Sequence, residues 1–199
     1  MITYNDWPHI QQTIDSIYGQ VDEIVAIDGR FQDFPQIGGE DHSTDGTLEY
    51  LLRLPKVQTI VATGLTEVEK RNKYLVGAVG DWYLHLDADE EWVGEINIPE
   101  ADMFICWLQR EKPKFFMQRV RLFQHVPGLH YAKKHYWLHD GHNRTFSLID
   151  KPGRGYTAME VGDTKIIHHE FARTPERHSK KKQYYRTLCK IENKIREEI

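Results

Sequence analysis

Cysteine is almost absent: Cys106, inside an apolar run, and Cys189, in a basic C-terminal segment, are the only two in 199 residues. They make no disulfide framework and lack zinc-site spacing, so a reducing compartment is the default expectation. Long apolar runs are missing too. No stretch reaches the ~18 residues of a spanning helix, and Met1-Ile2-Thr3-Tyr4-Asn5 has no charged segment leading into an apolar one. The chain therefore reads as cytoplasmic, without a visible secretion signal or membrane span. A basic surplus is also lacking: 26 Lys and Arg stand against 30 Asp and Glu, a net charge of −4, with a pI near 6.3. That argues against a nucleic-acid binder. Internal repeats and low-complexity segments do not occur. At this length a chain buries roughly 70% of its unfolded surface, which leaves room for one full core.

The first 90 residues alternate between strand and helix signals. Asp6 is placed to cap a helix starting at Trp7-Pro8, with Ile10, Ile14 and Ile17 on one stripe and a stop at Gly19. Glu23 to Asp28 reads as a buried strand. Ser43-Thr44-Asp45-Gly46 offers caps for a short helix bearing Leu48, Leu51 and Leu52, closed by Pro55 before a strand from Val57 to Ala62. Thr66-Glu67-Val68-Glu69 is a capping-box pattern opening a third helix, and Trp82 to Asp87 reads as the next strand. Strands separated by helical crossovers pair in parallel and bind ligands beyond their carboxyl ends. The fold class is therefore α/β, with a central, mostly parallel sheet flanked by helices. Gly29 to His42 is unusually long for a connection and lacks periodicity, which marks a functional lid or an insertion.

Beyond residue 90 the pattern becomes mixed, with strand-like segments at Met103 to Leu108, Phe115 to Phe123 and Leu129 to Leu138. A last helix follows Thr174-Pro175, with Tyr184, Leu188, Ile191 and Ile195 as one stripe. No domain boundary is visible, so residues 1–199 form a single domain. Residues 171–199 carry nine basic against four acidic residues, whereas the preceding body is acidic. Lys180, Lys181 and Lys182 with Arg186, Lys190 and Lys194 are either a solvated face or a contact for an anionic membrane or a lipid diphosphate.

The strongest chemical signal is Asp87-Ala88-Asp89-Glu90, directly after a strand. Residues two apart in extended chain face the same side, so both aspartates can address one ligand. Their oxygens suit a hard cation, Mg²⁺ or Mn²⁺, that completes its shell with substrate phosphates. The plainer reading is a polar turn. Eleven histidines are present, seven of them between His125 and His169.

Thr3-Tyr4-Asn5, Asp28, Ser43-Thr44-Asp45-Gly46-Thr47, Lys70-Arg71-Asn72 and Gly80-Asp81-Trp82 leading to Asp87-Ala88-Asp89-Glu90 form an ordered set. Together they resemble family 2 glycosyltransferases of the GT-A fold. Arg121-Leu122-Phe123, Gly128-Leu129-His130-Tyr131, His139-Asp140 and Ile167-His168-His169 also resemble the branch whose first half ends in D-A-D-E. The resemblance implies a nucleotide-sugar-binding half, residues 1–90, and an acceptor and catalytic half, residues 91–199. Thr3, Tyr4 and Asp28 would hold the nucleotide base. Lys70 or Arg71 would position nucleotide or diphosphate, and Asp87 would approach the ribose. Asp89, with Asp87 and an imidazole, would bind Mn²⁺ or Mg²⁺. His169 is taken for that imidazole, with His168 the alternative. The insertion between Gly29 and His42 departs from the family pattern.

The activity so implied is metal-dependent, inverting transfer of a sugar from a nucleotide diphosphate sugar, UDP being the expected nucleotide, to an acceptor hydroxyl. Acceptor recognition would fall to the 29–42 loop, the aromatic stretch from Tyr131 to Trp137, or a partner. Asp140 is the expected catalytic base, with Leu138 and Trp137 as an apolar wall and Gly141 admitting the substrate; Asp150, Glu90 and Glu91 compete for that role. Rival readings are a nucleotidyltransferase, whose glycine- and arginine-rich first loop is missing here, and a noncatalytic nucleotide- or glycan-binding module.

Overall fold

The computed structural model describes residues 1–98, 100–110, 116–132, 137–142, 144–147, 158–169 and 175–197. Strand β1 (Ile2–Thr3) leads to helix α1 (His9–Ile17), strand β2 (Ile24–Asp28), helix α2 (Thr47–Leu52), strand β3 (Val57–Val61) and helix α3 (Glu67–Gly77). These strands form a parallel sheet in the order β1-β2-β3, with Thr3 beside Asp28 and Asp28 beside Val61. β2 is buried along its whole length, as its unbroken apolar run requires.

The helices start for identifiable reasons. Thr66 accepts from the Glu69 amide while the Glu69 carboxylate accepts from the Thr66 amide, the expected capping box of α3. Asp45 accepts from Thr47 N at the start of α2. Asp6, by contrast, does not cap α1. Its carboxylate is taken by Thr3 Oγ1, Tyr4 N and Arg177 instead.

Strand β4 (Trp82–Leu84) corrects a second expectation. It pairs antiparallel with β7 (Phe116–Gln124) and so does not extend the parallel sheet. A strand's side-chain pattern reports burial, not the direction of its neighbour, so the sequence could not distinguish the two. The second sheet also takes in β5 (Glu90–Val93), β6 (Met103–Arg110) and β11 (Ala158–His168), in the order β4-β7-β6-β11-β5, with only β6 and β11 parallel. A small antiparallel sheet joins β8 (His130–Tyr131), β9 (Trp137–His139) and β10 (Thr145–Ser147). Helix α4 (Pro175–Glu197) ends the described chain. Among the described residues no helix is long and apolar enough to cross a membrane.

One apolar cluster ties the two halves together. Ile10, Ile14 and Ile17 of α1 pack with Ala26, Leu86, Trp92, Leu122 and Ile166. Burying each isoleucine contributes roughly 1.5–3 kcal/mol. Ile14→Ala would open a void costing about 2–5 kcal/mol. This packing holds α1 against β5 and thereby fixes the Asp87–Glu90 turn over the end of the parallel sheet.

Candidate functional site

A cavity of ≈ 280 Å³ opens at the carboxyl ends of β1 and β2 and is lined by Thr3, Tyr4, Gly29, Arg71, Asp87 and Asp89, among others. Gly29 is required there: its φ is +125°, and a Cβ would lie 2.8 Å from the Ala62 carbonyl oxygen.

The two aspartates face the same cavity from a turn. Glu90 N donates to Asp87 O, and Asp87 N donates to the Glu90 carboxylate. Glu90 is in turn gripped by both Arg121 nitrogens, at 2.7 and 2.9 Å. This buried fork fastens the turn to β7 and gives the Glu90 carboxylate a structural task. Thr13 Oγ1 holds Ala88 O, and His169 N holds Asp89 O, so the turn backbone is fixed from α1 and from the end of β11.

Asp87 belongs to a network around Arg71. The guanidinium reaches Glu67 Oε1 at 2.8 Å, Asp87 Oδ1 at 3.3 Å, Tyr74 Oη at 3.2 Å and His85 Nε2 at 2.8 Å. Because Arg71 can only donate, His85 Nε2 accepts, which leaves Nδ1 to donate to Tyr131 Oη at 2.7 Å. Burial, and then Arg71, push the His85 pKa down to about 3, so this imidazole is neutral. Burial works against the Asp87 charge, but the Arg71 guanidinium outweighs it and holds the carboxyl well below the usual range.

Asp89 is 2% exposed. His168 Nε2 lies 3.5 Å from its Oδ2, whereas His169 turns to Glu91 at 3.1 Å and stacks on His9. The imidazole facing the second aspartate is therefore His168, not the favoured His169. Alternation along β11 explains the choice, since neighbouring strand residues face opposite sides. His168 Nδ1 is buried without a hydrogen-bond partner among the described residues.

Asp28 and Lys70 stand behind the cavity wall. Asp28 is 0% exposed and accepts from both Ser43 N and Ser43 Oγ. Burial pushes its pKa up, against those bonds and the charge of Lys70. Lys70 donates to Gly29 O, and burial pulls its ammonium down to about 8 despite Asp28. Both residues set the position of Gly29.

The expected base is differently employed. Asp140 Oδ1 accepts from His142 N at 2.9 Å and Arg144 N at 2.8 Å, and Oδ2 accepts from Arg144 Nε at 2.6 Å. It holds the β9–β10 turn and does not line the cavity, so its placement gives no support to a role as base. Gly141 has a packing reason as well: a Cβ there would lie 3.2 Å from the Pro127 carbonyl oxygen. Asp150 lies outside the described residues, as do residues 133–136 of the aromatic stretch. Glu91 remains partly open, its side chain 37% exposed.

Sequence reasoning missed two walls. The 29–42 loop is anchored by Tyr4, whose hydroxyl lies 2.9 and 2.8 Å from the carbonyls of Ile37 and Glu40 and accepts from Ile37 N. Its Phe34 packs with Tyr4 and Tyr184, and Phe31 stacks on Tyr184. Phe31 and Phe34 line the cavity with Arg177, Lys181 and Tyr185 of α4. Of the three lysines proposed for a membrane face, Lys180 donates to Gln36 O and Lys181 approaches Asp89, which leaves Lys182 exposed. The available signal was the i, i+4 spacing of Arg177 and Lys181 opposite so acidic a body.

Residues 1–171 match the family described as Glycosyl transferase family 2. No curated protein matches the chain.

Proposed function

The chain belongs to glycosyl transferase family 2, a glycosyltransferase of GT-A fold that uses a nucleotide-sugar donor, and we propose that the cavity between the Asp87–Asp89 turn, Arg71 and the 29–42 loop holds that donor for metal-assisted, inverting transfer. The observation that carries this reading is the convergence of Asp87 and Asp89 with Thr3, Tyr4 and Arg71 on one cavity at the strand ends. Tyr4, Phe31 and Phe34 offer rings and backbone for the base, UDP being the favoured nucleotide. Asp87, kept ionised by Arg71, suits a ribose hydroxyl.

A divalent cation fits the second aspartate. Asp89 and His168 present a carboxylate oxygen and the Nε2 nitrogen 3.5 Å apart, and the ring's other nitrogen, Nδ1, is buried without a hydrogen-bond partner among the described residues. Among the described residues no group of three or more such ligands converges, so Asp89 and His168 would hold the ion while diphosphate and water complete its shell. Mixed oxygen and nitrogen donors favour Mn²⁺ over Mg²⁺. When bound, the ion would stabilise charge appearing on the departing diphosphate.

In a single displacement the acceptor oxygen forms its bond to the anomeric carbon as the bond to the diphosphate oxygen breaks. The electron pair leaves with the nucleoside diphosphate, and the acceptor proton passes to a base. Release of nucleoside diphosphate from UDP-, GDP- and dTDP-sugars with Mn²⁺ tests the proposal. The protein should release it from one donor, and Asp89→Asn should not. Tight donor binding without any release, across a panel of sugar, lipid and peptide acceptors, would instead favour the binding-module reading.

A further inference from the structure

The matched segment ends at residue 171, but the cavity extends further: part of its wall is α4. Arg177, Lys181 and Tyr185 are spaced i, i+4, i+8 and so lie on one helix face, with about 6 Å of axial rise between neighbours. The two ends of that row are anchored. Arg177 donates to Tyr4 O and to Asp6 Oδ1, and Tyr185 Oη donates to Glu67 Oε2 at 3.2 Å. Between them the Lys181 ammonium lies 3.8 Å from Asp89 Oδ2, with the side chain 35% exposed. That separation is too long for a hydrogen bond. Lysine is a compact charge on a flexible stem, so it can leave Asp89 for a stronger acceptor without moving the helix.

The charges on the cavity wall point the same way. Asp6, Glu67, Asp87 and Asp89 face Arg71, Arg177 and Lys181. Arg71 is committed to Glu67 and Asp87, and Arg177 to Asp6. Among the described residues Lys181 is the lysine or arginine whose ammonium or guanidinium approaches Asp89, and on this wall it is held there only loosely. A divalent ion at Asp89 would repel the ammonium, while a diphosphate brought in with that ion would attract it.

We propose that Lys181 is a diphosphate-binding residue contributed by α4, balancing Asp89 in the free protein and turning to the phosphates when donor and cation occupy the cavity. This inference rests on the donor-site reading above. The charge run that reads as a solvated face or a membrane contact is, at this position, part of the substrate site. Lys181 would also stay with the diphosphate as it departs.

Calorimetric titration distinguishes the possibilities. UDP, GDP, CDP and ADP, each with Mn²⁺, are titrated into the parent, and the tightest ligand and its monophosphate are then compared in Lys181→Gln, Lys181→Arg and the exposed control Lys182→Gln. Loss of one charge-assisted contact predicts a roughly tenfold weaker diphosphate in Lys181→Gln. The monophosphate should change less than about twofold, arginine should restore most of the loss, and Lys182→Gln should match the parent. Equal diphosphate affinity in parent and Lys181→Gln, or an equal loss for mono- and diphosphate, would overturn the inference. A parent that binds none of the four would overturn the donor-site reading and this inference with it, and that failure is visible before any variant is made.

Discussion

Arg71 Nη2 stands 3.3 Å from Asp87 Oδ1, so the first aspartate of the D-x-D turn is held by a residue of α3. The same guanidinium carries Glu67 and His85. Removing it leaves carboxylates uncompensated in a mostly buried site. Arg71→Met should cost about 3–5 kcal/mol, the usual penalty for breaking a buried ion pair. Urea denaturation of the two proteins measures this, and a loss below about 1 kcal/mol would mean that Glu67 and Asp87 are solvated well enough without it.

Asp140→Asn separates a turn-holding role from a catalytic one. With both carboxylate oxygens engaged by the 142 and 144 amides and by Arg144, the variant should lose roughly 1–3 kcal/mol of stability. Turnover per folded molecule should stay within a few-fold of the parent. A drop of 10²-fold or more with unchanged stability would return Asp140 to the role of general base.

Lys70 gives a pH signature. Its folded pKa is lowered to about 8 from 10.5, so the fold disfavours the charged form. Below pH 8 lysine is protonated in both states and that penalty is fully present. Between about pH 8 and 10.5 the folded protein releases this proton while the unfolded chain keeps it, so stability rises with pH, by up to about 3 kcal/mol. Denaturation of parent and Lys70→Met from pH 7 to 10 should show the rise in the parent and its loss in the variant. Parallel curves would show that Lys70 is better solvated than its burial implies.

What the sequence made legible was local. The Thr66–Glu69 capping box, the Ile10, Ile14, Ile17 stripe and the buried run of β2 depend on neighbours a few residues away, and each forms as its pattern requires. Asp6 fails as a cap because Arg177, far along the chain, claims its carboxylate. The direction of β4 depends on β7, and the choice between His168 and His169 depends on which face of β11 meets Asp89. The 29–42 loop had no periodicity to read, yet it is ordered through Tyr4 and the aromatic ring contacts of Phe31 and Phe34. Charge counting marked α4 as basic but could not show that its Arg177 and Lys181 face inward. In each case the deciding partner is distant in sequence.

The most direct measurement is calorimetric titration of nucleoside diphosphates into the protein with and without Mn²⁺, repeated for Asp89→Asn, His168→Ala and His169→Ala. Mn²⁺ should strengthen binding of one nucleoside diphosphate at least about tenfold, Asp89→Asn and His168→Ala should each abolish this gain, and His169→Ala should keep it. Binding that is indifferent to Mn²⁺ in the parent, or a gain that survives in Asp89→Asn, would contradict this.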